Sequence, residues 1–242
     1  MANQYGLVAA TLMLAALTGC AATPNAQSGG QIGEQERAEN RAPLLPSALF
    51  AGGAARFESW QCQPANQNLV TAQDGETLRL WSLYGAWKLP QARVASGARY
   101  QDSDIGFWER GERAQVETPR GQLQCEKGSA RSLLTRRDHP EVMFFARGNE
   151  PGWSIALHNT TPSLHLVTRY GEEQQTRPYV ISVMDNAAGR VVLENVDGDD
   201  FFRVRIEAAA CFDDMSGEPF PARVTLSLNG EQLSGCGQGI AP

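Results

Sequence analysis

The chain has 242 residues, of which 42% are hydrophobic and 20% charged, with a net charge of −6. This is an ordinary globular composition with room for one or two domains, and it excludes a fibrous or wholly disordered chain. The one adjacent pair of cations that offers a phosphate site in the second half, Arg136-Arg137, reads as solvated charge, so nucleic acid is not expected as the partner.

Residues 7–17 form an apolar run, Leu-Val-Ala-Ala-Thr-Leu-Met-Leu-Ala-Ala-Leu, that ends in Leu17-Thr18-Gly19-Cys20. The run is short for a bilayer span and fits the core of a signal peptide. Small residues directly before a cysteine are similar to a bacterial lipobox, which implies a signal peptide over residues 1–19 and a lipidated Cys20 as the mature N-terminus. No lysine or arginine precedes the run, a departure from the usual signal. Ala21 after the cysteine implies sorting to the outer membrane, with the protein anchored by its lipid and facing the periplasm. Residues 20–55 are rich in Ala, Gly, Ser, Gln, Asn and Pro, and read as a tether too polar to offset its ordering entropy. Leu44, Leu45, Leu49 and Phe50 offer an alternative there, a short helical turn packed on the folded part.

From Arg56 the pattern becomes β-rich, with runs at 57–62, 69–72, 77–81, 86–89, 105–108, 114–117 and 122–125. Turn signals separate them at Asp74-Gly75, Gly85, Pro90, Gly111 and Pro119-Arg120-Gly121. Strands so closely spaced predict a small antiparallel β-barrel or sandwich over residues 56–126. Two pieces of it stand out, Ser96-Gly97-Ala98-Arg99-Tyr100 and Phe107-Trp108-Glu109-Arg110-Gly111. Each places a polar group beside a glycine that favours an exposed turn, so Ser96 and Arg110 read as a hydroxyl and a cation displayed at tips. Carboxylates are the partner an arginine fork fits best.

Trp60-Gln61-Cys62, the Ser-Gly-x-x-Tyr at 96 to 100, the aromatic-x-x-Gly at 108 to 111 and Cys125 together resemble the membrane-bound inhibitors of c-type lysozyme (the MliC/PliC family). The resemblance implies an antiparallel β-barrel that inserts a serine and a cation between the enzyme's two catalytic carboxylates. Carried over, the contacts are Ser96, Gly97, Tyr100 and Arg110, and the protein partner is a c-type lysozyme. The family usually has lysine where this chain has Arg110, so a point donor has become a fork. The resemblance implies no cofactor and no catalytic residue.

Residues 127–141 are polar and basic and read as a linker. A second β-rich unit is predicted over 142–242, with runs at 142–146, 164–167, 179–184, 191–193, 201–206 and 224–228 and a hairpin signal at Asn229-Gly230. The expected fold is therefore all-β, a small barrel followed by a second all-β domain. Gly148-Asn149-Glu150-Pro151-Gly152-Trp153, Cys211-Phe212-Asp213-Asp214-Met215-Ser216-Gly217 and Gly235-Cys236-Gly237 resemble an uncharacterised bacterial envelope domain. Glu150 with Asp213 and Asp214 is a candidate carboxylate set, and Asp197, Asp199 and Asp200 a candidate calcium set. Turn chemistry accounts for both more simply.

With Cys20 taken by lipid, four cysteines remain, and the domain pattern pairs Cys62 with Cys125 and Cys211 with Cys236. Disulfides agree with an exported protein. No Cys-x-x-Cys exists, and His139, His158 and His165 have no metal-ligand spacing, so no metal site is expected. Residues 56–126 carry 8 cations and 9 anions, against 11 and 15 in residues 127–242. The acidic second unit would speed encounter with a basic lysozyme. No Gly-x-Ser-x-Gly or phosphate loop appears, so an enzyme is not expected. The alternative function is a structural lipoprotein that binds peptidoglycan or another envelope component, and a homodimer remains open.

Overall fold

A computed structural model describes residues 42–64, 67–195 and 201–241. The proposed signal peptide, Cys20 and the candidate calcium set at Asp197, Asp199 and Asp200 lie outside these residues. Sixteen strands form two closed antiparallel barrels of eight, each pairing its neighbours in chain order and sealing first strand to last.

The first barrel comprises β1 Arg56–Gln63, β2 Gln67–Gln73, β3 Thr77–Ser82, β4 Gly85–Ala92, β5 Ala98–Gln101, β6 Gly106–Arg110, β7 Arg113–Thr118 and β8 Gly121–Ser132. Alternating side chains turn Trp60, Leu69, Leu80, Leu89, Tyr100, Phe107 and Val116 into one buried core. Closure removes the free edges that an open sheet would expose. At the seam Cys62 lies directly opposite Cys125 and is bonded to it. The bond closes a loop of 63 residues, which the chain-entropy account values at about 4 kcal/mol.

The second barrel comprises β9 Val142–Asn149, β10 Gly152–His158, β11 Ser163–Thr168, β12 Glu173–Asp185, β13 Arg190–Asn195, β14 Phe202–Phe212, β15 Pro219–Leu228 and β16 Glu231–Gly239. Its disulfide joins Cys211 to Cys236, across the intervening β15. Asn229 and Gly230 both take positive φ, as the predicted two-residue hairpin turn requires.

Sequence reading missed three strands. β5 has only four residues and β16 interrupts its apolar alternation with glycines, whereas β10 keeps the alternation, with Trp153, Ile155 and Leu157 buried, and was simply passed over. Two expectations about connections are corrected. Residues 127–132, assigned to a linker, continue β8, because β1 offers them backbone partners as far as Ser132. For residues 42–55 the structure replaces the tether with the alternative of a short helical turn packed on the folded part, a 3-10 turn at Ser47–Leu49 with Leu49 fully buried. The Trp81 indole donates to the Ala48 carbonyl at 2.7 Å, and Phe50 bridges to Gly239.

The outward faces of β1 to β3 do not all meet solvent. Phe57, Val70, Ala72 and Trp81 join the apolar cluster of the second barrel, with Leu49 and Ala51 wedged beside them. At this junction Arg131 on β8 lies 3.8 Å from the Phe220 ring and 5.1 Å from the Phe57 ring. It donates to the Pro219 carbonyl at 3.1 Å and to Gln238 Oε1 at 2.8 Å. Burial pulls the Arg131 pKa down to about 10, with Glu218 countering it. The guanidinium therefore stays charged at neutral pH and bonds the barrels together.

Candidate functional site

Up-and-down connections alternate between the two ends of a barrel. The β2–β3, β4–β5 and β6–β7 connections share one end of the first barrel, which puts residues 93–97 beside the Gly111–Glu112 turn. Ser96 and Arg110, fourteen positions apart in the chain, become neighbours for this reason. A Cβ placed at Gly97 would sit 3.1 Å from Arg110 Cγ and 2.3 Å from the Glu109 carbonyl. Gly97 also has φ +72°. Its glycine identity thus answers both a left-handed backbone and a close approach.

Trp108 is the junction of the site. Its indole N–H donates to the Ser96 carbonyl at 3.1 Å, which ties down the β4–β5 loop. The Arg110 guanidinium lies over the same ring, 3.4 Å from its centroid, and Arg99, its cross-strand partner on β5, lies at 5.5 Å. Stacking suits a planar guanidinium better than an ammonium. Arg99 is in turn held by Glu117 at 2.6 Å. Ser96, Gly97 and Arg110 are exposed, and Arg110 has no carboxylate partner among the described residues. The surface offers a hydroxyl and a supported cation.

Beneath these loops the barrel end is closed by charge. Lys127 Nζ lies 2.6 Å from Glu109 and 3.2 Å from Glu58, and 4.9 Å from the Trp60 ring. Burial opposes the ammonium, but the hydrogen bond and charge of Glu109, with Glu58, outweigh it and raise its pKa.

Tyr100 corrects the expectation that it touches a partner. It is fully buried, with its ring in the core cluster and its hydroxyl inaccessible. Burial, with the nearby Glu109 charge, raises its pKa. Alternation decides this, since Arg99 and Tyr100 must face opposite sides of β5. Sequence reading also missed Trp108 as the junction and the Lys127 network. The first needed the unrecognised β5, and the second joins residues from β1, β6 and β8.

Of the candidate carboxylates of the second barrel, Asp213 and Asp214 are structural, while Glu150 is exposed in the turn after β9. Asp213 Oδ1 accepts from Ser216 N and Ser216 Oγ, both at 2.8 Å, and from Met215 N at 3.2 Å, closing its own turn. Asp214 accepts from Asn149, and Arg147 pairs with Asp213 at 3.4 Å and with Glu218 at 2.8 Å. Gly148 of the first motif and Gly235 of the third make room for Trp153. A Cβ at Gly148 would lie 2.3 Å from its indole nitrogen, and one at Gly235 2.7 Å from its ring. Among the described residues no cluster of His, Cys, Asp or Glu has the arrangement of a metal site, and no helix is long and apolar enough to cross a membrane.

No curated protein matches the chain. Residues 60–124, running from the first strand of the first barrel to its last, match the family model of the membrane-bound lysozyme-inhibitor of c-type lysozyme, and this part of the chain is similar to that family.

Proposed function

We propose that the protein is a non-catalytic inhibitor of c-type lysozyme, with residues 56–126 as the inhibitory unit. Ser96 and Arg110 enter the enzyme's cleft. Such an enzyme needs one carboxyl protonated as acid and one ionised as nucleophile, a case the general account of glycosidases draws from lysozyme itself. The Ser96 hydroxyl hydrogen-bonds to the carboxyls and Arg110 pairs with the ionised one, excluding sugar and disturbing both protonation states. Gly97 brings the serine loop against β6. The observation that carries this reading is Trp108, which holds the Ser96 backbone and the Arg110 guanidinium from one ring. The match over residues 60–124 supports the same partner.

In this reading Cys20 carries the lipid that anchors the protein to the outer membrane, facing the periplasm, and residues 142–242 form an accessory envelope domain. The junction with the second barrel involves β1 to β4 and β8, whereas Ser96 lies in the β4–β5 loop and Trp108 and Arg110 lie on β6. The second barrel therefore leaves the inhibitory surface free.

The test is lysis of bacterial cell walls by a c-type lysozyme in the presence of residues 21–242, beside Ser96→Ala, Arg110→Ala and Trp108→Leu. Each of the first two should weaken inhibition by about 1–3 kcal/mol, the cost of leaving a buried carboxylate unsatisfied. Trp108→Leu should lose about as much, because both groups then lose their support. Full inhibition by a folded Ser96→Ala, Arg110→Ala double variant would refute the assignment.

A further inference from the structure

The two ends of the first barrel are finished in opposite ways. At the Ser96 end, Lys127, Glu58 and Glu109 close the interior with ion pairs. The far end, where the β1–β2, β3–β4, β5–β6 and β7–β8 connections gather, opens into a cleft of about 500 Å³. That size falls within the range of small-molecule pockets, ~300–1,000 Å³, and barrel mouths are among their usual places.

The wall of the cleft is apolar and comes from six elements. Leu80 faces Trp87 across β3 and β4, Val116 faces Leu123 across β7 and β8, and Leu69 and Ile105 complete the wall. Side chains do not meet across the mouth to fill it, although at this barrel size an interior can be filled. The rim holds the uncharged Gln67, Ser82, Thr118 and Gln122, the exposed Tyr84 and a single charge, Arg120. Among the described residues the Arg120 guanidinium has no hydrogen-bond or ion-pair partner. An apolar well with one free cation at its lip complements a molecule with a hydrocarbon body and an anionic end.

We propose that this mouth binds a single-chain anionic amphiphile, with the alkyl chain against Leu80, Trp87 and Val116 and the carboxylate at Arg120. The well has room for one chain and the rim one charge to meet it. The site lies at the opposite end from Ser96 and Arg110 and does not depend on lysozyme inhibition.

The experiment is calorimetric titration of residues 21–242 with dodecanoate, below its micelle concentration, beside dodecyltrimethylammonium and anionic phospholipid vesicles. Saturable one-to-one binding of dodecanoate is expected, at least tenfold tighter than the cationic amphiphile, with a change in tryptophan fluorescence. Arg120→Glu, on the exposed rim, should reverse the preference between the two amphiphiles, and Trp87→Ala should weaken both. If Trp87→Ala does not fold, the Arg120→Glu reversal decides alone. The proposal is overturned if dodecanoate fails to saturate one site, if Arg120→Glu leaves the preference unchanged, or if only vesicles bind.

Discussion

The two barrels share strand number and connectivity, yet glycine and tryptophan serve opposite ends in them. In the first, Gly97 lets a loop reach β6, and Trp108 stands on the outer face holding groups that point to solvent. In the second, Gly148 and Gly235 give up their side chains so that Trp153, only 4% exposed, can lie inside. A glycine beside an aromatic residue therefore has no fixed meaning. Strand parity decides whether it builds a surface or a core.

Substituting the glycines should separate these roles most sharply. Gly148→Ala places a methyl against Trp153 and the Ser234 carbonyl at 2.4 Å, and overpacking of this kind should cost about 3 kcal/mol. Gly111→Ala, at the tip of the first barrel with nothing near its Cβ and φ +65°, should cost about 1 kcal/mol from backbone strain alone. Urea denaturation of both variants measures the gap, and equal losses would break the contrast.

A smaller effect tests how far the barrels behave as one body. Arg131→Ala removes a cation from between Phe57 and Phe220 and leaves the buried Gln238 short of a partner. The loss should be about 2–3 kcal/mol. It should appear as faster amide exchange in β1 and β15, with inhibition unchanged, since Arg131 lies on the junction side of the first barrel.

An effect of similar size, read through pH, belongs to the acidic turn of the second barrel. Burial works against the Asp213 carboxylate, but Ser216, Asn149 and Arg147 hold its pKa at about 2, below the ordinary 3.8. A lowered folded pKa stabilises the protein above the unfolded value, and that stability is lost as pH falls from about 4 towards 2. The contribution is on the order of 2 kcal/mol. Asp213→Asn should flatten the stability profile of the second barrel across that interval, as melting at a series of pH values would show.

Much of the architecture was legible in the chain. Alternation is a local property, so thirteen of the sixteen strands stood out as β-rich runs, and the turns at Asp74-Gly75, Gly111 and Asn229-Gly230 separated them. The cysteine pattern anticipated both disulfides. The short Ala98–Gln101 strand and the glycine-rich Glu231–Gly239 strand did not stand out, because their order comes from neighbours that supply backbone partners.

The sequence by itself determined the residue types on offer: a serine and an arginine beside glycines, aromatic anchors and four pairable cysteines. Only the tertiary structure decided which of them meet. Alternating connections brought Ser96 and Arg110 to one end, strand parity turned Tyr100 inward and Trp108 outward, and closure gathered Glu58, Glu109 and Lys127 from distant strands. Spacing along a chain specifies local geometry, whereas these contacts depend on strand register around a closed ring, which every pairing in the barrel sets jointly.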